Sequence, residues 1–417
     1  MKMPWLLAGF LSSLALADLP HATATVSSAV TYYQQVAPLV NQQCQTCHQP
    51  GAIASFLPLT NYAQVKALAK QIGKVTAARS MPPFNPDNSG ACASYQNARV
   101  LTEQDIATFA AWVEQGTPEG DPVQLPPPIS SNQLPGQTHQ TGMTEAYTPD
   151  AAEHDDYRCF VMGPGFSGSQ PKYLTDYLVV PGNDKLVHHV VVYQATSAQA
   201  GDAAVKNDAA EAGPGYSCFG GAGVSGIRML MNWSPGTGVV RFPEKTGIRM
   251  DPDLPLIVQF HYHIVGTPGP DQSQIKMKLV DKVPLEMTPT FLSPAKPLSI
   301  PPQQASYVHA GTSSLSNSLG KSKALRVMGI RSHMHKLGSQ MRVTVGSAGN
   351  ERCLIDVPHY DYQWQTSYFL NQPVDITSQE AINIRCVYDS TGRDTTTTWG
   401  EGTDDEMCLT TLYTVPR

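Results

Sequence analysis

The sequence predicts a multidomain protein in which a small all-α domain precedes two all-β sandwiches. Three observations carry that expectation. The chain has 417 residues, too many for one ordinary core. Helical signals are concentrated early: PLTNYAQVKALAKQIGKVTAA reads as one helix, and LTEQDIATFAAWVEQGTPEG as a second, opened by a Thr102 cap and closed near Gly116. From about residue 151 onward, β-rich runs such as LVHHVVVYQ, LPLIVQFHYHIV, ALRVMGIRSH and QMRVTVGSAG alternate with Gly-, Pro-, Asn- and Asp-rich turns, the pattern of two antiparallel sandwiches in succession. A helical turn around DAAVKNDAAEAG is the exception.

Residues 1–17 hold one basic side chain, Lys2, an apolar run LLAGFLSSLALA and the small-residue pattern Ala15-Leu16-Ala17. That is a secretory signal peptide, expected to be cleaved after Ala17. Residues 18–120 then form the helical domain, and 121–150 a Pro-, Ser- and Gln-rich linker over which it is free to move. The two sandwiches are expected over 151–285 and 286–417. No later run of roughly 18 apolar residues occurs, so no transmembrane segment is expected. A net charge of −6, with 41% hydrophobic and 15% charged residues, describes a globular protein and gives no electrostatic case for nucleic acid. The chain is expected to be secreted or periplasmic, where its eight cysteines can form disulfides.

Cys44-Gln45-Thr46-Cys47-His48 is the C-x-x-C-H pattern in which two thiols form thioethers to haem and the histidine ligates iron. A redox dithiol wants a βαβ context and a zinc site wants a second pair, and neither is near. One covalently bound c-type haem is therefore expected, attached at Cys44 and Cys47 with His48 as axial ligand. The helical domain resembles a class I cytochrome c, in which a methionine usually fills the sixth position. Met81, flanked by two prolines in ARSMPPFN, is the candidate. Ordinary packing is the other reading of that side chain.

Two histidine pairs suggest further metal chemistry. His333 and His335 sit two apart in LRVMGIRSHMHKLGSQMRVTV, and on a strand residues i and i+2 share a face. His188 and His189 are adjacent, so they can share a metal only where the backbone is bent, at a bulge or strand end. His261 follows His189 by 72 residues, and Met407 follows His335 by the same interval. Each sandwich thus offers one early pair and one late ligand, and one site per domain is the simple inference. Three imidazoles suit zinc or copper, whereas two imidazoles with a thioether are a poor zinc site and a good Cu(I) site. Two copper ions are expected.

The motifs VHHVVVY, VQFHYH, RSHMHKLG followed by QMRV, RCVYD and DDEMC run from about Tyr157 to the C-terminus. They resemble the ascorbate-dependent type II copper monooxygenases, the family of peptidylglycine α-hydroxylating monooxygenase and dopamine β-monooxygenase. The resemblance implies two jelly-roll-like sandwiches side by side, with the coppers separated by a solvent-filled cleft. It also implies that His188, His189 and His261 hold an electron-relay copper, while His333, His335 and Met407 hold the catalytic copper where O2 meets substrate. One oxygen atom would enter a C–H bond of a small organic or peptide-like substrate and the other leave as water, with electrons from ascorbate or a redox protein.

Arg331 stands where peptide-hydroxylating members clamp a substrate carboxylate; a surface ion pair is its other reading. Leu409 and Thr411 replace a polar amide and a tyrosine of those members, which leaves the carboxylate pocket incomplete. His263 is an addition to the pattern, either supporting the ligands from behind or serving as an alternative ligand. The resemblance supports a Cys386–Cys408 disulfide. Cys159–Cys218 is expected within the first sandwich, and Cys92 and Cys353 either join the haem and copper domains or stay free. The haem is expected to relay electrons to copper. A non-enzymatic exported carrier of haem and copper is the alternative function.

Overall fold

The computed structural model describes residues 29–84, 86–96, 98–125 and 132–417. The signal peptide expected at 1–17 lies outside the described residues. The helical part contains Tyr32–Val36 running on into Ala37–Gln43, then Tyr62–Ala67, Ala69–Ala77 and Glu103–Glu114. The first of the two expected helices is thus broken at Leu68. The second is capped as its sequence demands: the Thr102 hydroxyl accepts the Asp105 N–H at 3.1 Å, and Asp105 accepts the Thr102 N–H at 2.8 Å. Gly116, at φ +79°, ends it. The Tyr32–Gln43 helix has no side-chain cap, and sequence signals missed it. Tertiary packing holds it, with Tyr32, Val36 and Val40 buried against Phe109 and Trp112.

In the first sandwich one sheet runs Tyr216–Ser217, Asp155–Met162, Leu256–His263, Val187–Ala195, Ile227–Trp233. The facing sheet runs His139–Gly142, Gln274–Val280, Lys172–Val180, Thr246–Met250, Leu285–Glu286. His139–Gly142 falls inside the expected linker, yet it pairs with Gln274–Met277 as an edge strand, and Leu134 and Met143 beside it are buried. The linker is therefore shorter than its composition implied. The expected helical turn is a full helix, Ala198–Ala210, capped by Ser197.

The chain crosses to the second sandwich at Met287: Leu285–Glu286 still pairs with the first, and Thr288–Leu292 already pairs with Leu409–Pro416. The sheets here run Thr288–Leu292, Leu409–Pro416, Ala324–His333, Ser367–Thr377, and Tyr307–Ser313, Ile382–Tyr388, Gly338–Val345, Arg352–Val357. Met328, Phe369, Tyr413 and Val415 of this sandwich share a buried cluster with Phe242 and Met250 of the first. The two sandwiches are consequently one packed body.

The helical domain is tied to the second sandwich by more than the linker. Phe84 and residues 86–96 lie along the second sandwich, where the Gln96 N–H donates to the Phe369 carbonyl at 2.7 Å and the Tyr95 hydroxyl to the Leu354 carbonyl at 3.1 Å. Phe84 meets Tyr368 edge-on at 5.4 Å. Cys92 is disulfide-bonded to Cys353, so of the two alternatives the crosslink is the one formed. Cys159–Cys218 and Cys386–Cys408 are also bonded. A protease site engineered into the exposed stretch Asp121–Gln124 should give two fragments that remain together on non-reducing electrophoresis. They should separate only with reductant; separation without it would show that Cys92 and Cys353 are unbonded.

Candidate metal centres

His189 lies opposite His261 in the antiparallel pair Val187–Ala195 and Leu256–His263, and the register shifts between Val187 and His189. That shift makes His188 the extra residue of a bulge, which supplies the bend that adjacent histidines need to turn toward one point. The ligand nitrogens of His188, His189 and His261 all lie within 4.8 Å of one another. Nδ1 of His188 is 3.4 Å, and Nδ1 of His261 3.1 Å, from Nδ1 of His189.

Asp155, on the neighbouring strand, fixes the cluster. Its Oδ1 accepts His261 Nε2 at 2.8 Å, which leaves the His261 Nδ1 lone pair for a metal. The same oxygen bonds His263 Nδ1 at 3.1 Å and accepts the Thr403 hydroxyl at 2.6 Å. Burial alone would raise the Asp155 carboxyl; these hydrogen bonds hold it well below the usual range. His263 therefore stands behind His261, on Asp155. Tyr157 stacks on His261 with centroids 4.2 Å apart and planes 7° from parallel.

The second cluster forms where the Ala324–His333 strand ends, so His335 lies in the turn that follows rather than further along a strand. The two rings are 5.2 Å apart and nearly perpendicular. His333 Nδ1 is hydrogen-bonded to Gln365 Oε1, and His335 Nδ1 to the Asp405 carbonyl at 3.0 Å. Glu406, fully buried, accepts the backbone N–H groups of His335 at 2.9 Å, Leu337 at 2.6 Å and Met407 at 3.2 Å. One carboxylate thus clips Met407 to the histidine turn. Burial pushes Glu406 up to about 7 against those donors. Leu409 pairs with His333, and the bonded Cys386–Cys408 braces the strand entry.

Burial lowers every one of these imidazoles, His188 to about 3, with His189 and His333 far below the ordinary value. They are neutral at pH 7, the form that ligates metal. Arg331 is 6% exposed, its Nε has no hydrogen-bond partner, and it makes no salt bridge among the described residues. It is not a surface ion pair. Nearby, the Tyr413 hydroxyl accepts Asn232 Nδ2 at 2.7 Å and meets the Ser367 hydroxyl at 2.9 Å.

Side chains of the second sandwich lie where the clusters approach. Tyr362 stacks on His188 at 5.1 Å and meets His335 edge-on at 6.3 Å, while Thr403 reaches across to Asp155. Asp155, Tyr362 and Gln365 belong to no motif, and no spacing in the sequence marked them. Glu406 stood inside DDEMC without a role.

In the helical domain, Cys44 and Cys47 are free. His48 Nδ1 is hydrogen-bonded to the Leu57 carbonyl at 2.9 Å. Met81, beyond the end of the Ala69–Ala77 helix, is 42% exposed. A cavity of about 420 Å³ separates the domain from both sandwiches, lined by Cys47, Ile53, Phe84, Arg99, Trp233 and Trp364 among others.

Asp155→Asn keeps the side-chain size but loses the charge that orients His261. Metal affinity at the three-imidazole cluster should fall roughly 10–100-fold while the other cluster keeps its own. Chelator competition resolving two binding phases measures this; equal weakening of both would contradict the assignment.

Residues 289–416 match the C-terminal domain of the copper type II ascorbate-dependent monooxygenases. Dopamine beta-hydroxylase of Bos taurus is 23% identical over 313 residues, covering 70% of this chain and 49% of that protein. Tyramine beta-hydroxylase of Caenorhabditis briggsae is 24% identical over 259 residues, covering 57% and 41%. The chain spans about half the length of the curated relatives it matches. Among solved structures, PNGase F from Flavobacterium meningosepticum aligns with 66% of the chain at 10% identity, with a TM-score of 0.26 that carries no argument. The histidine clusters, the buried methionine and these matches together relate the β-rich part of the chain, above all its C-terminal sandwich, to the copper type II ascorbate-dependent monooxygenases.

Proposed function

We propose that the protein is an exported copper-dependent monooxygenase that inserts one oxygen atom of O2 into a C–H bond of a small organic substrate. What supports the reading is a three-imidazole cluster on one sandwich and, on the abutting one, the His333 and His335 rings 5.2 Å apart with buried Met407 tied through Glu406 to the same turn. Neutral buried imidazoles and a buried thioether are donors that fit copper. His188, His189 and His261 would hold the electron-relay ion, and His333, His335 and Met407 the catalytic ion. Copper bound there supplies one-electron redox chemistry and O2 activation.

The chain's own residues do the rest. Asp155 and Glu406 orient ligands, and Tyr362 packs against an imidazole of each cluster. Arg331, buried and without a carboxylate partner, suits an anionic substrate group, because a buried cation left unpaired is costly. The hydroxylases among the relatives are named for dopamine and tyramine; this arginine favours a carboxylate-bearing substrate here.

A c-type haem in the helical domain is part of this proposal, and three observations support it. Cys44 and Cys47 are the cysteines outside the three disulfides, and His48 commits Nδ1 to Leu57, which leaves Nε2 for iron. Ile53, Phe56 and Leu57 stay 45%, 77% and 41% exposed beside the motif, apolar surface of the kind a porphyrin covers. Met81 would complete the iron ligation. The haem would pass electrons from ascorbate or a redox protein toward copper. Three disulfides favour an oxidising compartment, and no helix among the described residues is long and apolar enough to cross a membrane.

With copper, ascorbate and a panel of carboxylate-bearing substrates, O2 uptake should match hydroxylated product mole for mole. Metal binding without turnover would instead support an electron carrier. Met407→His should depress turnover more than copper affinity, and parallel loss of both would remove Met407 from the catalytic role. Arg331→Gln should raise KM for an anionic substrate by about tenfold or more, the equivalent of about 1.5–3 kcal/mol for a charged hydrogen bond. An unchanged KM would leave the carboxylate without its clamp.

A further inference from the structure

The locked position of the helical domain gives its C-x-x-C-H loop a specific neighbour. Arg99 lies between that loop and the sandwiches. Its Nη1 donates toward Cys47 Sγ at 3.6 Å, and its Nη2 toward the carbonyls of Gly236 and Thr237 at 3.3 and 3.4 Å. The guanidinium also sits 5.2 Å over the ring of Trp364, a contact worth more where water is excluded. Trp364 is 8% exposed. Gly236, at φ +83°, closes on that ring so tightly that a Cβ would fall 2.4 Å from it, so the turn on which Arg99 rests can only be glycine there. The next residue, Gln365, is hydrogen-bonded to Nδ1 of His333 and is itself fixed by the Ser234 hydroxyl on its carbonyl. An unbroken run of contacts therefore leads from Cys47 to His333.

We propose that Arg99, Trp364 and Gln365 form the electron entry route from the haem to the His333, His335 and Met407 centre, so that this centre is charged directly and not only through the three-imidazole cluster. The inference rests on the haem and two-copper reading above. An external one-electron donor of the ascorbate or redox-protein class reduces haem iron(III) to iron(II). Iron(II) then returns to iron(III) as copper(II) becomes copper(I), and no bond is made or broken. No proton need move, since His333 Nδ1 keeps its bond to Gln365. Transfer through protein falls steeply across gaps, and an aromatic ring in contact on both sides removes the largest one. Trp233 also lines the cavity and pairs with Val190, next to His189, so it marks the competing route to the three-imidazole cluster.

The test uses the full chain matured with haem and loaded with copper(II), mixed without oxygen with a limiting one-electron reductant. Haem absorbance gives the internal reoxidation rate, and electron paramagnetic resonance shows which copper(II) signal disappears. Trp364→Leu should slow haem reoxidation by about an order of magnitude at unchanged haem and copper content, with Trp364→Phe intermediate and Trp233→Leu without effect. A wild-type rate in Trp364→Leu, or a slow rate in Trp233→Leu alone, overturns the route. Failure of the wild-type chain to attach haem at all overturns the haem reading itself, and the route with it.

Discussion

One half-buried carboxylate underlies much of this structure. Asp155 receives His261 and His263 from its own sandwich and the Thr403 hydroxyl from the other. The same contacts that set the His261 tautomer also fasten the two sandwiches at the metal clusters. Hydrogen bonds to an ionised carboxylate are stronger than neutral ones. Ligand orientation and domain apposition are therefore coupled through a single side chain, and a metal-site property depends on an interface.

Glu406 plays the corresponding part in the second cluster by a different means. It holds backbone N–H groups instead of imidazoles, and so fixes the path of the chain through His335, Leu337 and Met407. A methionine has a flexible stem and makes a weak ligand, so its placement depends on the backbone beneath it. The Cys386–Cys408 bond and the pairing of Leu409 with His333 complete that constraint. One centre is organised through its side chains, the other through its main chain.

The helical domain shows how composition can mislead about mobility. The Pro-rich stretch after it reads as a flexible tether, but a tether limits motion only if nothing else joins the parts. Phe84 and residues 86–96 join them: the Gln96 and Tyr95 hydrogen bonds, the Phe84–Tyr368 ring contact and the Cys92–Cys353 bond all cross to the second sandwich. This docking holds the C-x-x-C-H loop against the sandwiches.

Candidate donors were legible because residue identity is local. Cys44, Cys47 and His48, the His188-His189 pair, His261, His333, His335 and Met407 stand out as candidates by residue type and spacing, and the alternation of the β runs announces the sandwiches that the structure contains. Even the bend at His188 follows from two adjacent residues having to face one point. Tertiary structure alone decided which residues orient those ligands and how the parts abut. Asp155 and Thr403 are 248 residues apart, and Cys92 and Cys353 are 261 apart. Tyr362 gains its position between two imidazoles only when the sandwiches pack. Periodicity and motif report what each segment can do, whereas partners across the fold are chosen by burial and by hydrogen bonds that exist only once distant segments have met.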